Sequence, residues 1–333
     1  MEDDSQPVDA ELTYEQINAC SFNSWYPLFA YVKPLVTVKS ELIQLTQDFI
    51  NYIKEDGVLL PKSITSTNRS NGNDSDGFSS EEYDEEEDVH SREFPELQEF
   101  IQKAINKYGA VFPKCNWSSP RDAEWILTGS DKLKCTSVED VFLLLKSSQF
   151  IIHDLEDAYR NVALQNNEQE TKRILVLREW FNFEPSMEFR CFIREGELIA
   201  ISQRDHQNYY KFLEDRIAEY REKLHVFWKQ NVQTKFKLVN YVLDLYINRK
   251  GSVFIIDFNV YGHPTVPLLF DWNSAPLALR SELPAEIDFR IVEDECGVIR
   301  PSFKTYGGVP SDFYDPTNAQ NVMKFIEKCQ NEQ

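Results

Sequence analysis

In Tyr241-Val-Leu-Asp244-Leu-Tyr-Ile247 and Ser252-Val-Phe-Ile-Ile-Asp257-Phe-Asn259-Val260, two runs rich in β-branched and aromatic residues flank the turn Asn248-Arg-Lys-Gly251. Gly251 tolerates positive φ, so the pair predicts a β-hairpin. With Lys250-Gly251 at its tip, Asp244 lies opposite Asp257. Residues two apart on a strand share a face, so Asn259 joins the two acids, while Phe254, Ile256 and Phe258 point the other way into a core. Like charges directly opposed across a hairpin cost roughly 0.2–1 kcal/mol, more where solvent is thin. Such a group calls for a cation, and carboxylate and amide oxygens with water are what Mg²⁺ takes, commonly shared with nucleotide phosphates. The residues alone leave a merely solvated acidic face as the alternative, and a bulge at the turn would put the aspartates on opposite faces.

Outward from this hairpin, 333 residues suffice for two lobes with sizeable cores, and 42% hydrophobic and 13% aromatic residues fit a globular protein. A formal charge of −20 argues against binding polyanionic duplex or membrane surface. No apolar run approaches a membrane span, and Met1-Glu-Asp-Asp4 is acidic where a signal peptide is basic. The six cysteines include no Cys-x-x-Cys, which fits reduced thiols, and the five histidines offer no zinc spacing. The expected setting is cytoplasmic, with a monomer that binds neither nucleic acid nor membrane.

The chain begins with a short helix over 12–20 and an aromatic cluster, Phe22, Trp25, Tyr26 and Phe29, suited to packing an amino-terminal arm on the body. Val36-Thr-Val38 predicts a strand, and Thr46 caps a helix bearing Phe49, Ile50 and Ile53. From Lys62 to Glu93 the chain holds ten acidic and three basic residues and almost nothing to bury, so it is expected to be a disordered insertion. A helix with Leu97, Ile101, Ala104 and Ile105 follows, stopped by Gly109. The segment 110–122 predicts a strand and loop carrying Lys114, Trp117, Ser119 and Arg121, with an Arg121–Asp122 ion pair as the plain alternative to a phosphate site.

Thr136-Ser-Val-Glu139 has the form of a capping box. Ile174-Leu-Val-Leu-Arg178-Glu-Trp180 predicts an apolar strand ending in charge. A second hairpin around Glu195-Gly196 places Glu188 and Arg190 on one face and Phe189, Cys191 and Ile193 on the other. A long amphipathic helix runs from Tyr209 to Trp228, a last strand over 288–292, and a final helix from near Asp315. There is no G-x-x-x-x-G-K-[ST], no G-x-G-x-x-G after a strand and no G-x-S-x-G, so P-loop, Rossmann, kinase and hydrolase-elbow chemistries lack their motifs.

Ser24-Trp-Tyr-Pro27, Phe112-Pro-Lys-Cys-Asn-Trp-Ser118 with Pro120-Arg-Asp122, Glu188-Phe-Arg-Cys-Phe192, Ile201-Ser-Gln-Arg-Asp205 and Ile256-Asp-Phe-Asn259 resemble, in order, the motifs of the cell division cycle protein 123 family. The resemblance implies an α+β, ATP-grasp-like fold of two α+β lobes with the nucleotide between them. Residues 1–61 and 94–173 would form an N-terminal lobe, 62–93 the acidic insertion, and 174–333 a C-terminal lobe with a partner-binding region near Tyr306, Phe313 and Tyr314.

The resemblance further implies an ATP- and Mg²⁺-binding assembly chaperone that joins the gamma subunit of eukaryotic translation initiation factor two to its partners, serving translation initiation and the cell cycle. Lys114, Trp117, Ser119, Arg121, Arg178, Trp180, Glu188 and Arg190 would surround the nucleotide, and Asp244, Asp257 and Asn259 would hold the metal. Glu179 stands where some relatives are expected to carry a base. The alternative is an ATP-grasp ligase that activates a carboxylate as an acyl phosphate. Covalent nucleotidyl transfer through Lys114 is disfavoured, because Trp117 occupies the position where such motifs place glycine.

Overall fold

A computed structural model describes residues 12–66, 92–127, 131, 133–159, 162 and 172–293. The order of elements is α1 (Tyr14–Ala19), α2 (Phe22–Phe29), β1 (Ser40–Gln44), α3 (Gln47–Lys54), α4 (Lys62–Ser66), α5 (Pro95–Tyr108), β2 (Val111–Lys114), α6 (Val138–Lys146), α7 (Gln149–Glu156), β3 (Ile174–Glu179), β4 (Glu188–Arg194), β5 (Glu197–Gln203), α8 (Ile217–Asn231), β6 (Tyr241–Ile247), β7 (Val253–Val260) and β8 (Asp288–Arg290). This is an α+β fold with two sheets. The smaller has the order β1-β3-β2 and is antiparallel throughout. The larger has the order β7-β6-β4-β5-β8, antiparallel except for the β5/β8 edge.

Each sheet has its own core, and β3 belongs to both. Its Leu175 and Leu177 face a core built with Phe49, Ile53, Ile101 and Phe142, whereas Ile174 and Val176 face the core of the large sheet. A strand buried on both faces needs a continuous apolar run, which Ile174-Leu-Val-Leu177 supplies. Two assignments to lobes are thereby corrected. β3, placed with the C-terminal lobe in the sequence reading, hydrogen-bonds to β1 and β2 of the small sheet. α1 and α2, placed with the N-terminal lobe, bury Ile17, Phe22, Trp25 and Phe29 in the core of the large sheet. The reason is the aromatic cluster itself: Trp25 and Phe29 lie 5.3 and 5.6 Å, centroid to centroid, from Phe258 on β7.

Local sequence rules explain most boundaries. Thr13 and Gln16 cap α1 reciprocally, Thr46 caps α3, and Gly109 with φ 79° ends α5. The capping box of α6 is Ser137 with Asp140, one residue on from the expected Thr136/Glu139, because the Asp140 carboxylate reaches the amides of both Thr136 and Ser137. Val36-Thr-Val38 makes only a single bridge, from Thr37 to Ile255, and the strand is β1 instead. The helix expected from Tyr209 starts as a 3-10 turn over Lys211–Arg216 and becomes α-helical only at α8.

The margins of the acidic insertion are ordered. Ile64 of α4 is buried in the small-sheet core, Ser63 bonds to Glu93, and Arg92 pairs with Glu55. The expected final helix and Tyr306, Phe313 and Tyr314 lie outside the described residues. Among the described residues no helix is long and apolar enough to cross a membrane.

Phe258 is the best single probe of the large core, since it contacts Trp25, Phe29, Phe236 and Tyr241 and is 2% exposed. Phe258→Ala is expected to lower the unfolding free energy by about 3–5 kcal/mol in urea titrations. A loss below about 1 kcal/mol would show that this packing is not the core of the fold.

Candidate functional site

Asp244 on β6 does lie opposite Asp257 on β7, but by a different route from the one the turn predicts. The hairpin closes at Asn248 and Ser252, which sets Ile247 against Val253 and Leu245 against Ile255. Continued unchanged, that register would put Asp244 against Ile256. A bulge between the 245/255 and 244/257 pairs supplies one extra residue on β7 and brings the two acids into register. The same bulge reverses the alternation of burial. Val253, Ile255, Phe258 and Val260 face the core, so Phe254 and Ile256, expected there, do not join it. It also leaves the Ile256 carbonyl free of the ladder, and Arg178 Nη1 donates to it at 2.9 Å.

Basic side chains from four other strands converge on these acids. Lys114, at the end of β2 and 2% exposed, places Nζ 2.6 Å from Asp257 Oδ2. Arg190 on β4 grips Asp244 bidentately, 2.8 Å for each bond, and donates Nη1 to the Val266 carbonyl at 2.7 Å. Arg204, just past β5, lies 3.3 Å from Asp244 Oδ2 and 3.6 Å from Glu188 Oε2. Asn259 donates its amide nitrogen to Asp244 Oδ2 at 3.4 Å. Phe22 of α2 presents its ring to Lys114 Nζ at 5.0 Å and to the Arg178 guanidinium at 5.5 Å.

The electrostatics follow from burial and neighbours. Burial pushes the Lys114 ammonium and the Arg178 guanidinium below their ordinary values, with Asp257 opposing the shift at each. For Asp244 burial acts to raise the pKa, yet Arg190 and Arg204 outweigh it and hold the carboxyl well below the usual carboxylate range. Arg121, exposed on the 3-10 turn Arg121–Ile126, is lowered to about 10, chiefly by the neighbouring Arg204 charge. The Arg121–Asp122 ion pair considered from sequence is absent among the described contacts, because Asp122 accepts from Ser148 Oγ and the amides of Gln149 and Phe150 at the start of α7.

The structure thus brings together Lys114, Arg178, Glu188, Arg190, Asp244, Asp257 and Asn259, with Arg121 within electrostatic reach. It places three other candidates in different company. Trp117 is half-buried, with its indole N–H on the Ile17 carbonyl and its ring against Tyr159. Ser119 uses its carbonyl to accept from the Arg121 amide. Trp180 lies beneath Lys134 Nζ, 4.5 Å from the ring centroid.

Three contributors went unassigned in the sequence. Arg204 sits in the quoted Ile201–Asp205 motif, and its amide donates to the Glu188 carbonyl; the Glu195-Gly196 turn carried a signal for that pairing. Phe22 and Asp154 had none, because their roles depend on contacts distant in sequence. Asp154, buried on α7, accepts from the Trp117 and Ser118 amides and fixes the loop that follows Lys114.

Two carboxylates and an amide on one sheet face form a hard-oxygen donor set that suits Mg²⁺. The chemistry of these donors fits the metal, although each acid is here neutralised by a basic side chain of the chain itself.

Fold and site define a two-sheet α+β protein in which acids and bases from both sheets meet, around one buried aspartate. The chain belongs to the D123 family, whose model matches residues 25–317. It is 34% identical over 327 residues to the translation initiation factor eIF2 assembly protein of Xenopus laevis, covering 94% of this chain and 95% of the relative. It is 37% identical over 289 residues to the cell division cycle protein 123 of Yarrowia lipolytica, covering 85% and 74%. Among solved structures, Cdc123 from Schizosaccharomyces pombe superposes with a TM-score of 0.68 at 32% identity, covering 85% of this chain and 99% of that one.

Because Asp244 balances two guanidinium groups at 1% exposure, Asp244→Asn is expected to cost about 3–5 kcal/mol of unfolding free energy near neutral pH. The folded pKa lies below the unfolded one, so this contribution is complete above the unfolded value of about 3.9 and is lost as pH falls through the folded pKa. The gap between wild type and variant should therefore hold from pH 5 to 7 and narrow under acid. A gap independent of pH down to pH 2 would contradict the assignment.

Proposed function

We propose that this chain is an ATP- and Mg²⁺-binding assembly factor for translation initiation factor eIF2, acting in the cytoplasm as a monomer and docking the gamma subunit. One observation carries the nucleotide half of this reading. Five cations, Lys114, Arg121, Arg178, Arg190 and Arg204, surround three carboxylates, Glu188, Asp244 and Asp257. Arg178 Nη2, on a side chain 5% exposed, has no acceptor among the described residues. A buried guanidinium nitrogen without an acceptor costs free energy, and the surplus positive charge favours a polyanion. A triphosphate accompanied by a divalent cation supplies both an acceptor and the compensating charge.

In this reading Lys114 acts on phosphate oxygens as a point charge, and Arg178 donates the nitrogen left unpaired here. Arg121, which makes no ion pair among the described residues, gains an anion. Bound Mg²⁺ would neutralise the phosphates from Asp244, Asp257 and Asn259. Trp180, following directly on β3, would border the base, with Trp117 and Ser119 shaping the loop after Lys114.

Such a ligand would tie Lys114 and Arg178 of the small sheet to the acids of the large one. The partner-docking surface would then be held in one arrangement, and any hydrolysis would only release it. The eIF2 half rests on relatives at 34–37% identity that bear the name of eIF2 assembly proteins or of cell division cycle protein 123. An ATP-grasp-like arrangement of the two lobes would be shared with carboxylate-activating ligases, so turnover has to be measured alongside binding.

Purified chain should capture the isolated gamma subunit in a pull-down with Mg²⁺ and ATP, without stoichiometric ATP consumption. Failure to capture it in any nucleotide state, together with amine-dependent ATP turnover, would replace this reading with the ligase. Asp257→Asn, which keeps a hydrogen-bonding partner for Lys114, is expected to weaken Mg²⁺-dependent ATP binding by about tenfold or more in calorimetry. Unchanged affinity would remove Asp257 from the metal set.

A further inference from the structure

A carboxylate offers about four lone-pair sites, two on each oxygen, and on Asp244 those of Oδ2 are fully taken. Oδ1 accepts from Arg190 Nε, while Oδ2 accepts from Arg190 Nη2, Arg204 Nε and the Asn259 amide. Opposite, Asp257 Oδ2 holds the Lys114 ammonium and Oδ1 accepts the Phe258 amide. No further cation can bind Asp244 Oδ2 until one of its donors leaves.

The donors differ in how firmly they are held. Arg190 is bidentate at 2.8 Å and is fixed from its other side by the Val266 carbonyl. Each of its three nitrogens has an acceptor, which is the geometry of a firmly held pair. Arg204 makes one bond to Asp244 at 3.3 Å and a looser ion pair to Glu188 at 3.6 Å, and its side chain keeps 19% exposure. Arg204 also crowds Arg121, and Glu188 and Asp244 offset the repulsion between the two guanidinium groups only in part.

We propose that Arg204 is a resident counter-cation that occupies the divalent-cation position on Asp244 and yields it only when a polyphosphate arrives to accept its guanidinium, so that metal enters with nucleotide and not before it. This rests on the nucleotide reading above. With a polyanion present, Arg204 exchanges Asp244 for phosphate oxygens, and its repulsion with Arg121 is relieved by charge shared between them. Asn259, whose bond to Asp244 is the longest of the four, turns its amide oxygen toward the incoming cation. Without a polyanion, a divalent cation has to displace a guanidinium whose remaining partner is the looser Glu188 pair, and two positive groups then compete for one carboxylate.

Equilibrium dialysis of the full chain against Mn²⁺ tests this, with Mn²⁺ alone, with Mn²⁺ and a non-hydrolysable ATP analogue, and with the analogue in EDTA. Wild type is expected to retain one Mn²⁺ per chain only with the analogue, and to retain the analogue, more weakly, in EDTA. Arg204→Gln, with its fold checked by circular dichroism, is expected to take up Mn²⁺ alone at least about tenfold more tightly than wild type, and Arg204→Lys to restore the exclusion. Equal Mn²⁺ uptake by wild type with and without the analogue, abolished by Asp244→Asn, would overturn the proposal even if Arg204→Gln did not fold. So would a folded Arg204→Gln with no gain. Failure of the analogue to bind in any arm would instead overturn the nucleotide reading, and is recognised by the absence of both ligands from the protein side.

Discussion

Two carboxylates fixed opposite each other on neighbouring strands, one of them almost wholly out of solvent, have to be neutralised, and the arrangement of both sheets follows from how that is done. The bulge in β7 puts Asp257 across from Asp244, and every strand within reach supplies a counter-charge or a donor. β2 ends in Lys114, β3 and β4 carry Arg178 and Arg190, and Arg204 follows β5. Lys114 and Arg178 come from the small sheet and meet the β7 edge of the large one. Their bonds to Asp257 and to the Ile256 carbonyl are therefore the polar link between the two sheets.

A buried ionic network of this size is a poor way to gain stability alone, since desolvation offsets most of the Coulomb attraction. Its value lies in position. Arg190 joins Asp244 to the Val266 carbonyl, and Arg194, on the same strand and equally buried, bonds to the carbonyls of Pro276, Ala278 and Ser281. The long segment between β7 and β8 is thus pinned over one face of the large sheet by the strand that holds the central acid. There Phe192, Tyr261, Phe270 and Leu277 form a third apolar cluster. A change in the charge state around Asp244 would be felt by this segment through one guanidinium.

The loop after Lys114 shows the same economy. Asn116, fully buried, donates to Ser21 Oγ, Asn23 Oδ1 and the Lys172 carbonyl, accepts from the Ile174 amide, and offers its own carbonyl to the Phe22 amide. It joins α2, β2 and β3 at one point. Phe22, which lies under both Lys114 and Arg178, is positioned by the same residue. The amino-terminal helices therefore bear directly on the geometry of the charged site, although they lie far from its acids in sequence.

The sequence by itself determined the hairpins, the helices with clear caps, and the facing of Glu188 and Arg190, since these depend on period, turn residues and neighbours close along the chain. Family membership was legible for a similar reason, because short motifs in fixed order survive in the primary structure. Tertiary structure alone decided that the acids meet through a mid-strand bulge, that β3 serves two cores, and that α1 and α2 pack with the large sheet. It alone brought Arg204 to Asp244 and turned Trp117 inward onto Ile17. Each of these outcomes balances a local preference against burial or charge contributed by residues far away in sequence, and that balance has no period or spacing from which it could be read.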